Sequence, residues 1–318
     1  MQIDLHADTP LLMQWLGYNF CRRHRPWFPG GAWVSNLDLP RMEEGGLDAQ
    51  LFGLVGVPIE PDSFGTINEM IDRLERAERD AEGRFVLVRS AGELREARAR
   101  GARAGMLSLE GAHALRGSID RAAWLLQRGV ISFGLAHLHA NEACSPAYGL
   151  GKDRGQGLTE FGRELVAYLG HHGAMVDLAH INRKGFFEAV YHATGPIFVS
   201  HTGVCGVKRH SRNIDDEQIQ AIADRGGVVG VIFSRGFLGG SDLGTLVRHV
   251  QHIIKVGGEE VAALGSDFDG WVVPPRGLKD VRGLPALRQA LSDAGLTARQ
   301  VDGVMGDNAM ALFERALG

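Results

Sequence analysis

Side chains that bind metals stand at the ends of several short apolar segments of this sequence. Five such segments end in these side chains, which are His6 with Asp8, Glu110, His180, His201 and Asp267. A set of imidazoles and carboxylates without thiolates favours Zn²⁺, with Mn²⁺, Co²⁺ or Fe²⁺ as alternatives. A divalent cation held this way polarises a carbonyl and activates water, so the predicted chemistry is hydrolysis.

The spacing of these residues predicts how they share cations. His6 and Asp8 alternate along one strand, so both side chains point to the same face. His180 and His201 are separated by about one helix and one strand, which places them on neighbouring strands. We therefore predict two cations, one held by His6 and Asp8 and one by His180 and His201, with Glu110 bridging them. No lysine ends a predicted strand, which leaves Glu110 as the candidate bridge.

Each of these residues taken alone has a simpler interpretation. A single buried histidine is more often a hydrogen-bonded core residue than a ligand, and a carboxylate such as Glu110 often pairs with an arginine. The metal prediction depends on all of them meeting at one end of one structure.

The elements that would bring them together are short apolar runs separated by amphipathic helical patterns. Eight runs are predicted as strands, at residues 2–6, 49–57, 104–110, 130–136, 173–179, 196–200, 227–233 and 261–266. The clearest helical patterns lie at residues 67–81, 158–171, 215–225 and 243–256. Strand and helix alternating eight times predict an α/β fold, a (β/α)8 TIM barrel, in which the C-terminal ends of the strands share one face.

The loops and the length complete the prediction of the fold. Residues 19–39 and 140–157 are long, rich in Gly and Pro and poorly periodic, so we expect elaborated loops over the barrel mouth. Trp15, Trp27, Trp33 and Tyr148 either line that mouth or pack the loops. We predict a single metal-dependent hydrolase domain over residues 1–318.

Composition argues against several other classes of protein. A net charge of −4 and a pI near 6.4 give no reason to expect a nucleic-acid partner. No apolar run is long enough for a membrane span, and the N-terminus does not read as a signal peptide. Cys21, Cys144 and Cys205 are odd in number and widely spaced, as expected of reduced thiols. We therefore predict a cytoplasmic protein without a membrane partner.

In sequence order, these segments resemble the motifs of the renal (membrane) dipeptidase family of the amidohydrolase superfamily. The motifs are H-A-D, S-L-E-G-A-H-A-L, V-D-L-A-H, V-S-H-T-G, H-S-R-N and G-S-D-F-D-G, and the resemblance runs from Ile3 to Phe313. It implies a barrel that binds two Zn²⁺ ions, hydrolyses small dipeptides with a metal-bridged hydroxide, and commonly forms a homodimer. A D-residue at the C-terminal position of the dipeptide is among the expected substrates.

The resemblance also implies roles for residues beyond the metal ligands. His137 would stabilise the carbonyl oxygen in the transition state, with His139 as a weaker candidate. Arg212 would bind the free carboxylate of the substrate, to which a planar guanidinium is suited. Asp267 would relay a proton from water to the leaving amine, with Asp269 as the alternative.

The sequence departs from the family pattern after the seventh predicted strand. Ile232 stands where the family commonly has an asparagine, and Ser234 stands where it commonly has a tyrosine near the substrate carboxylate. Two alternatives to dipeptide hydrolysis therefore stay open, namely another amidohydrolase reaction, such as N-acyl amino acid deacylation or lactone hydrolysis, and a catalytically inactive metal-binding protein.

Overall fold

Parallel strands form the centre of the molecule. The computed structural model describes residues 1–25, 34–56, 60, 62–152 and 155–318. Its strands, in chain order, are β1 (Ile3–Ala7), β2 (Ala49–Val55), β3 (Phe85–Leu87), β4 (Arg103–Glu110), β5 (Val130–Gly134), β6 (Met175–Asp177), β7 (Ile197–Thr202), β8 (Val229–Val231) and β9 (Ala262–Leu264). They are mostly runs of apolar residues buried on both faces, as expected where helices cover a parallel sheet.

Eight of these strands close into a barrel. Their order around the sheet is β2-β1-β9-β8-β7-β6-β5-β4, and β2 closes the ring by pairing with β4. The closing pair is the longest register of the sheet and runs from Ala49 opposite Ala104 to Val55 opposite Glu110. The predicted (β/α)8 barrel is thereby confirmed.

Strand β3 is an addition that the sequence did not predict. Its three residues pair with the first part of β4, where Phe85 lies opposite Arg103, and β3 is not part of the closed ring. So short a run has too few residues for an apolar pattern to be recognised. Because β3 lies between two helices, its sequence is interpreted as a connecting loop.

Helices surround the barrel, and their ends follow local capping signals. They are α1 (Thr9–Leu16), α2 (Leu39–Gly45), α3 (Ser63–Asp80), α4 (Ala91–Ala99), α5 (Ile119–Gln127), α6 (Glu160–His171), α7 (Arg183–His192), α8 (Asp216–Asp224), α9 (Arg235–Leu238), α10 (Leu243–Gly257), α11 (Leu284–Asp293), α12 (Ala298–Asp302) and α13 (Asn308–Leu317). The helices predicted from the sequence correspond to α3, α6, α8 and α10. At the start of α8, for example, Asp215 and Gln218 form a reciprocal capping box.

The long segments predicted to lie over the mouth are only partly described. Trp27 and Trp33 lie outside the described residues, whereas Trp15 and Tyr148 are both exposed. A hydrogen bond from the Leu150 N–H to the Leu138 carbonyl oxygen joins the two ends of one loop. Among the helices of the described ranges, none is both long and apolar enough to cross a bilayer.

Candidate metal centre

Each predicted ligand lies at or just beyond the C-terminal end of a barrel strand. His6 and His201 are the second-last residues of β1 and β7, and Glu110 is the last residue of β4. His180 and Asp267 each follow a strand by three residues and adopt left-handed φ angles of 64° and 59°. Such angles are unusual for residues other than glycine, and both residues contact the cluster, His180 through Glu110 and Asp267 through His6.

Glu110 lies at the centre of the group. Its Oε1 is 3.1 Å from His180 Nε2 and 3.6 Å from His201 Nε2. Its Oε2 is 3.4 Å from His6 Nε2, which is 3.3 Å from Asp8 Oδ1. One carboxylate oxygen therefore faces each of the two predicted ligand pairs, which is the geometry expected of a bridging residue.

The six residues form three overlapping groups that can each hold a cation. Within each group the ligand atoms lie within 4.8 Å of one another, and the groups are His6–Asp8–Glu110, Glu110–His180–His201 and His6–His201–Asp267. His6, Glu110 and His201 each belong to two of these groups, so the groups form one continuous cluster of side chains.

Two further observations show that a cation fits among these residues. Several buried ligand atoms have no hydrogen-bond partner within the described residues, namely both ring nitrogens of His6, Asp8 Oδ1 and Glu110 Oε2. Unpaired buried polar atoms are costly, and a bound cation would satisfy them. In addition, His180 Nε2 and His201 Nε2 face each other at 2.8 Å, and Glu110 lies beside both.

A glycine on β2 provides the space next to this centre. A Cβ at Gly53 would lie 2.6 Å from Asp8 Oδ1 and 2.8 Å from His6 Cε1, so any larger residue collides with the ligands. The sequence analysis did not identify Gly53. Its position inside the apolar run of β2 was the available signal, because glycine within a strand often marks a close approach.

Burial and mutual repulsion shift the protonation of the ligands. Burial and the neighbouring Glu110 raise the pKa of Asp8 to about 7, and burial together with Asp8 raises the pKa of Asp267 well above its ordinary value. Burial lowers the pKa values of His180 and His201 well below their usual range, helped by Arg212. Glu110 and Asp8 raise the pKa of His6 although its burial opposes this. His180 and His201 are therefore neutral, as a cation requires of its imidazole ligands, whereas Asp8 and His6 would release protons when a cation binds.

His137 and Arg212 lie beside the same centre. His137 Nε2 is 3.9 Å from Glu110 Oε1, and its ring packs edge-on against His180 with centroids 4.8 Å apart. Arg212 is buried, and its Nη2 donates to the His201 carbonyl oxygen at 2.8 Å. Burial lowers the pKa of Arg212 to about 10, so the guanidinium stays charged near neutrality. Its Nε is buried without a hydrogen-bond partner among the described residues.

The two alternative residues named from the sequence lie in different surroundings. Asp269 accepts hydrogen bonds from the Thr9 hydroxyl at 2.7 Å and from the Asn36 N–H at 2.6 Å, and it belongs to none of the three cation groups. The carbonyl oxygen of His139 lies 2.9 Å from Nε2 of His113. Both residues take part in contacts that hold loops in place.

The two residues that depart from the family pattern are also buried. Ile232 is packed in the apolar core, and its N–H donates to the Thr202 carbonyl oxygen. Ser234 precedes α9 and accepts a backbone hydrogen bond from Leu238.

Comparison with known proteins identifies the family. The family model described as membrane dipeptidase (Peptidase family M19) matches residues 1–317. An uncharacterized dipeptidase of Schizosaccharomyces pombe is 30% identical over 334 aligned positions, which cover 98% of this chain and 80% of the relative.

Two solved structures are similar over their whole length. The dipeptidase AC, a metallopeptidase, is 30% identical with a TM-score of 0.90 and coverage of 100% of this chain and 98% of that one. A metallopeptidase from Rhodobacter sphaeroides, liganded with a phosphinate mimic of the dipeptide L-Ala-D-Ala, is 28% identical with a TM-score of 0.88 and 99% coverage of both chains. With a barrel of the same fold and a cluster of metal-binding side chains at its mouth, this chain belongs to the membrane dipeptidase family of metallopeptidases.

Proposed function

We propose that the protein is a zinc-dependent dipeptidase that binds two ions. The observation that carries this proposal is the position of Glu110, whose two carboxylate oxygens face His180 and His201 on one side and His6 on the other. His6 and Asp8 would hold one ion, His180 and His201 the other, and Glu110 both. When bound, two such ions supply an activated water and a Lewis acid for the substrate carbonyl.

Arg212 would bind the carboxylate of the substrate. Its guanidinium is buried beside the centre and is fixed by one hydrogen bond to the His201 backbone, while its Nε has no partner in the described part of the chain. A charged, pre-oriented guanidinium pairs well with a carboxylate. A cavity of about 200 Å³ lies against His180 and Arg212 and gives room for part of a small substrate.

His137 and Asp267 would act on the reacting amide. His137 reaches the edge of the centre from the β5 end, where a neutral N–H can donate to an oxygen that becomes negatively charged. Burial and Asp8 favour the protonated form of Asp267, so its carboxylate accepts a proton readily and can pass it to the leaving amine.

A D-residue at the C-terminal position is part of the proposal. The R. sphaeroides metallopeptidase was crystallised with a mimic of L-Ala-D-Ala, and it shares its fold over the full length of this chain. We therefore expect both L-Xaa-L-Xaa and L-Xaa-D-Xaa dipeptides to be hydrolysed.

The test is a dipeptide library assayed with zinc-loaded and chelator-stripped protein, with N-acylated amino acids and lactones in parallel. We expect metal-dependent release of free amino acids from dipeptides. Hydrolysis of the N-acylated analogues or lactones alone would replace the dipeptide proposal with another amidohydrolase reaction. Absence of any turnover by protein that holds two zinc ions would support an inactive binding protein.

A homodimer and a cytoplasmic location complete the proposal. Light scattering coupled to size-exclusion chromatography measures the first, and fractionation of cells that produce the protein measures the second. A monomeric mass or a membrane fraction would contradict them.

A further inference from the structure

The segment after β7 carries Arg212 and folds back on itself. It spans residues 203–214, and its two ends are joined by backbone hydrogen bonds. The Cys205 N–H donates to the Ile214 carbonyl oxygen at 2.8 Å, and the Ile214 N–H donates to the Gly203 carbonyl oxygen at 3.1 Å. Arg212 stands two residues before the second end and is buried. The position of its guanidinium therefore depends on how the backbone turns just before residue 214.

A histidine two residues earlier holds the backbone of Arg212. The Arg212 N–H donates to His210 Nδ1 at 3.0 Å. A backbone N–H can only donate, so the geometry fixes the direction of this hydrogen bond, and Nδ1 carries a lone pair. The carbonyl oxygen of Arg212 lies 3.2 Å from the Thr202 hydroxyl, which is also 3.0 Å from the Gly203 carbonyl oxygen. His210 therefore supplies the acceptor for the N–H of a buried residue.

The ring of His210 packs against side chains from two other segments of the barrel mouth. Its centroid is 4.9 Å from that of Phe237 on α9 and 5.5 Å from that of Tyr148 in the loop after β5. The imidazole is half-buried and lines the cavity of about 200 Å³ beside the centre. Cys205 Sγ lies 3.6 Å from the His210 carbonyl oxygen. These contacts define where Nδ1 lies beside the backbone of Arg212.

We propose that His210 is a positioning residue that orients Arg212 toward the carboxylate of the substrate. The inference rests on the role proposed for Arg212 and adds the group that fixes its backbone. An acceptor two residues before a backbone N–H closes a turn of the kind that Asn and Asp side chains form in loops. Without that acceptor a buried N–H would lose its partner, which is costly, so the peptide would turn away and move the guanidinium with it.

The hydrogen bond makes the orientation of Arg212 sensitive to pH. A protonated imidazole has no lone pair on Nδ1, so only the neutral ring can accept the N–H. The charged groups that act on this ring are Arg212 and Lys208 of its own segment, while Tyr148 contributes a phenol and Phe237 no charge. Burial and the two cations lower the pKa of His210. As the pH falls through that pKa, the acceptor is lost and the substrate carboxylate should bind less tightly.

Two variants separate the acceptor from the aromatic ring. His210→Phe keeps a flat ring against Phe237 and Tyr148 but offers no acceptor. His210→Asn loses the ring but keeps an acceptor, which does not titrate, because Oδ1 can accept the N–H two residues further on. Both variants and wild type, with zinc content verified, are assayed for kcat and KM on a dipeptide and on its C-terminal amide, from about pH 5 to pH 8. Hydrogen exchange of the Arg212 N–H measures the hydrogen bond without turnover.

We expect His210→Phe to raise KM for the dipeptide by about 5- to 30-fold, with kcat, zinc content and KM for the amide close to wild type. His210→Asn should stay within about threefold of wild type. The ratio of KM for the dipeptide to KM for the amide should rise at low pH in wild type but not in His210→Asn.

The Arg212 N–H should exchange faster in His210→Phe than in wild type or His210→Asn. Unchanged KM in His210→Phe, or equal losses in both variants, would overturn the inference. A wild type that binds the dipeptide and its amide equally well would instead contradict the role proposed for Arg212. Hydrogen exchange would then still decide whether His210 holds the backbone, since equal exchange in wild type and His210→Phe would exclude it.

Discussion

At the scale of single residues, Asp267 and Asp269 differ in the groups that surround them. Asp267 Oδ1 lies 3.9 Å from His6 Nε2. Asp269 instead accepts hydrogen bonds from the Thr9 hydroxyl and the Asn36 N–H. Only Asp267 belongs to a cation group, and we therefore assign the proposed proton transfer to it. The two carboxylates are two positions apart in the chain, so the sequence alone left the choice between them open.

Asparagine substitutions of the two aspartates should therefore have different effects. Asp267→Asn should lower kcat by about 10²- to 10⁴-fold with unchanged zinc content, because the proton acceptor is lost. Asp269→Asn should mainly lower the free energy of unfolding, by about 1–3 kcal/mol, because it disturbs hydrogen bonds that hold the loop. Steady-state kinetics, metal analysis and denaturant unfolding measure these effects. Near-normal turnover in Asp267→Asn would remove Asp267 from the mechanism.

Arg212→Lys should impair binding of substrates that have a free carboxylate. Lysine keeps the charge but lacks the planar pair of donors, so KM should rise by about 10- to 100-fold. The matched control is the same dipeptide with a C-terminal amide, for which KM should be similar in wild type and variant. Equal losses with both substrates would mean that Arg212 acts through the His201 backbone rather than on the carboxylate.

At the scale of elements, the strands place the ligands and a glycine leaves room for them. His6 and Glu110 lie at the ends of β1 and β4, and between these two strands β2 carries Gly53. The ladder between β2 and β4 keeps that glycine in fixed register, with Gly53 opposite Ser108. The backbone of β2 therefore has little freedom to move away from a new side chain.

Gly53→Ala should weaken metal binding more than it weakens the fold. The added Cβ would overlap Asp8 and His6, and these side chains must shift away from the ion. We expect zinc affinity to fall by at least tenfold, since small displacements of ligands are poorly tolerated. Gly92→Ala in α4 is the control, because its Cβ meets only Ser90 Oγ at 3.7 Å. Unchanged affinity in Gly53→Ala would show that β2 can move.

The sequence predicted the elements well where a pattern was long enough. All eight barrel strands were found, and Glu110 and His201 were recognisable because each ends an apolar run. The extra strand β3 is too short to carry such a signal. The hydrogen bond from the Ser200 N–H on β7 to the Asp177 carboxylate on β6 also escaped prediction. It depends on how the two strands are aligned and not on the sequence of either strand alone.

At the scale of the whole molecule, the centre crosses the barrel. Its side chains come from β1, β4, β7 and the segments after β6 and β9, so a bound cation would connect strands that are not neighbours in the ring. Ions that bind only the closed barrel must therefore stabilise the whole fold.

Removal of metal should lower the melting temperature. One ion at about 100 times its dissociation constant adds about 2.7 kcal/mol to the free energy of unfolding. Calorimetry with zinc and with a chelator measures the difference, and Tm should rise with zinc concentration. As a control, Glu110→Gln should abolish most of this dependence. A Tm that is insensitive to zinc in wild type would show that the ions do not bind across strands.

The distribution of the ligands along the chain also has a consequence for biosynthesis. The first ligand is residue 6 and the last residue of the cluster is 267, so no contiguous half of the polypeptide contains the full set. A chain still emerging from the ribosome can offer only partial and weaker binding sites until its last barrel strand has been made. The complete set of ligands therefore comes together only at the end of synthesis, when the ring of strands closes.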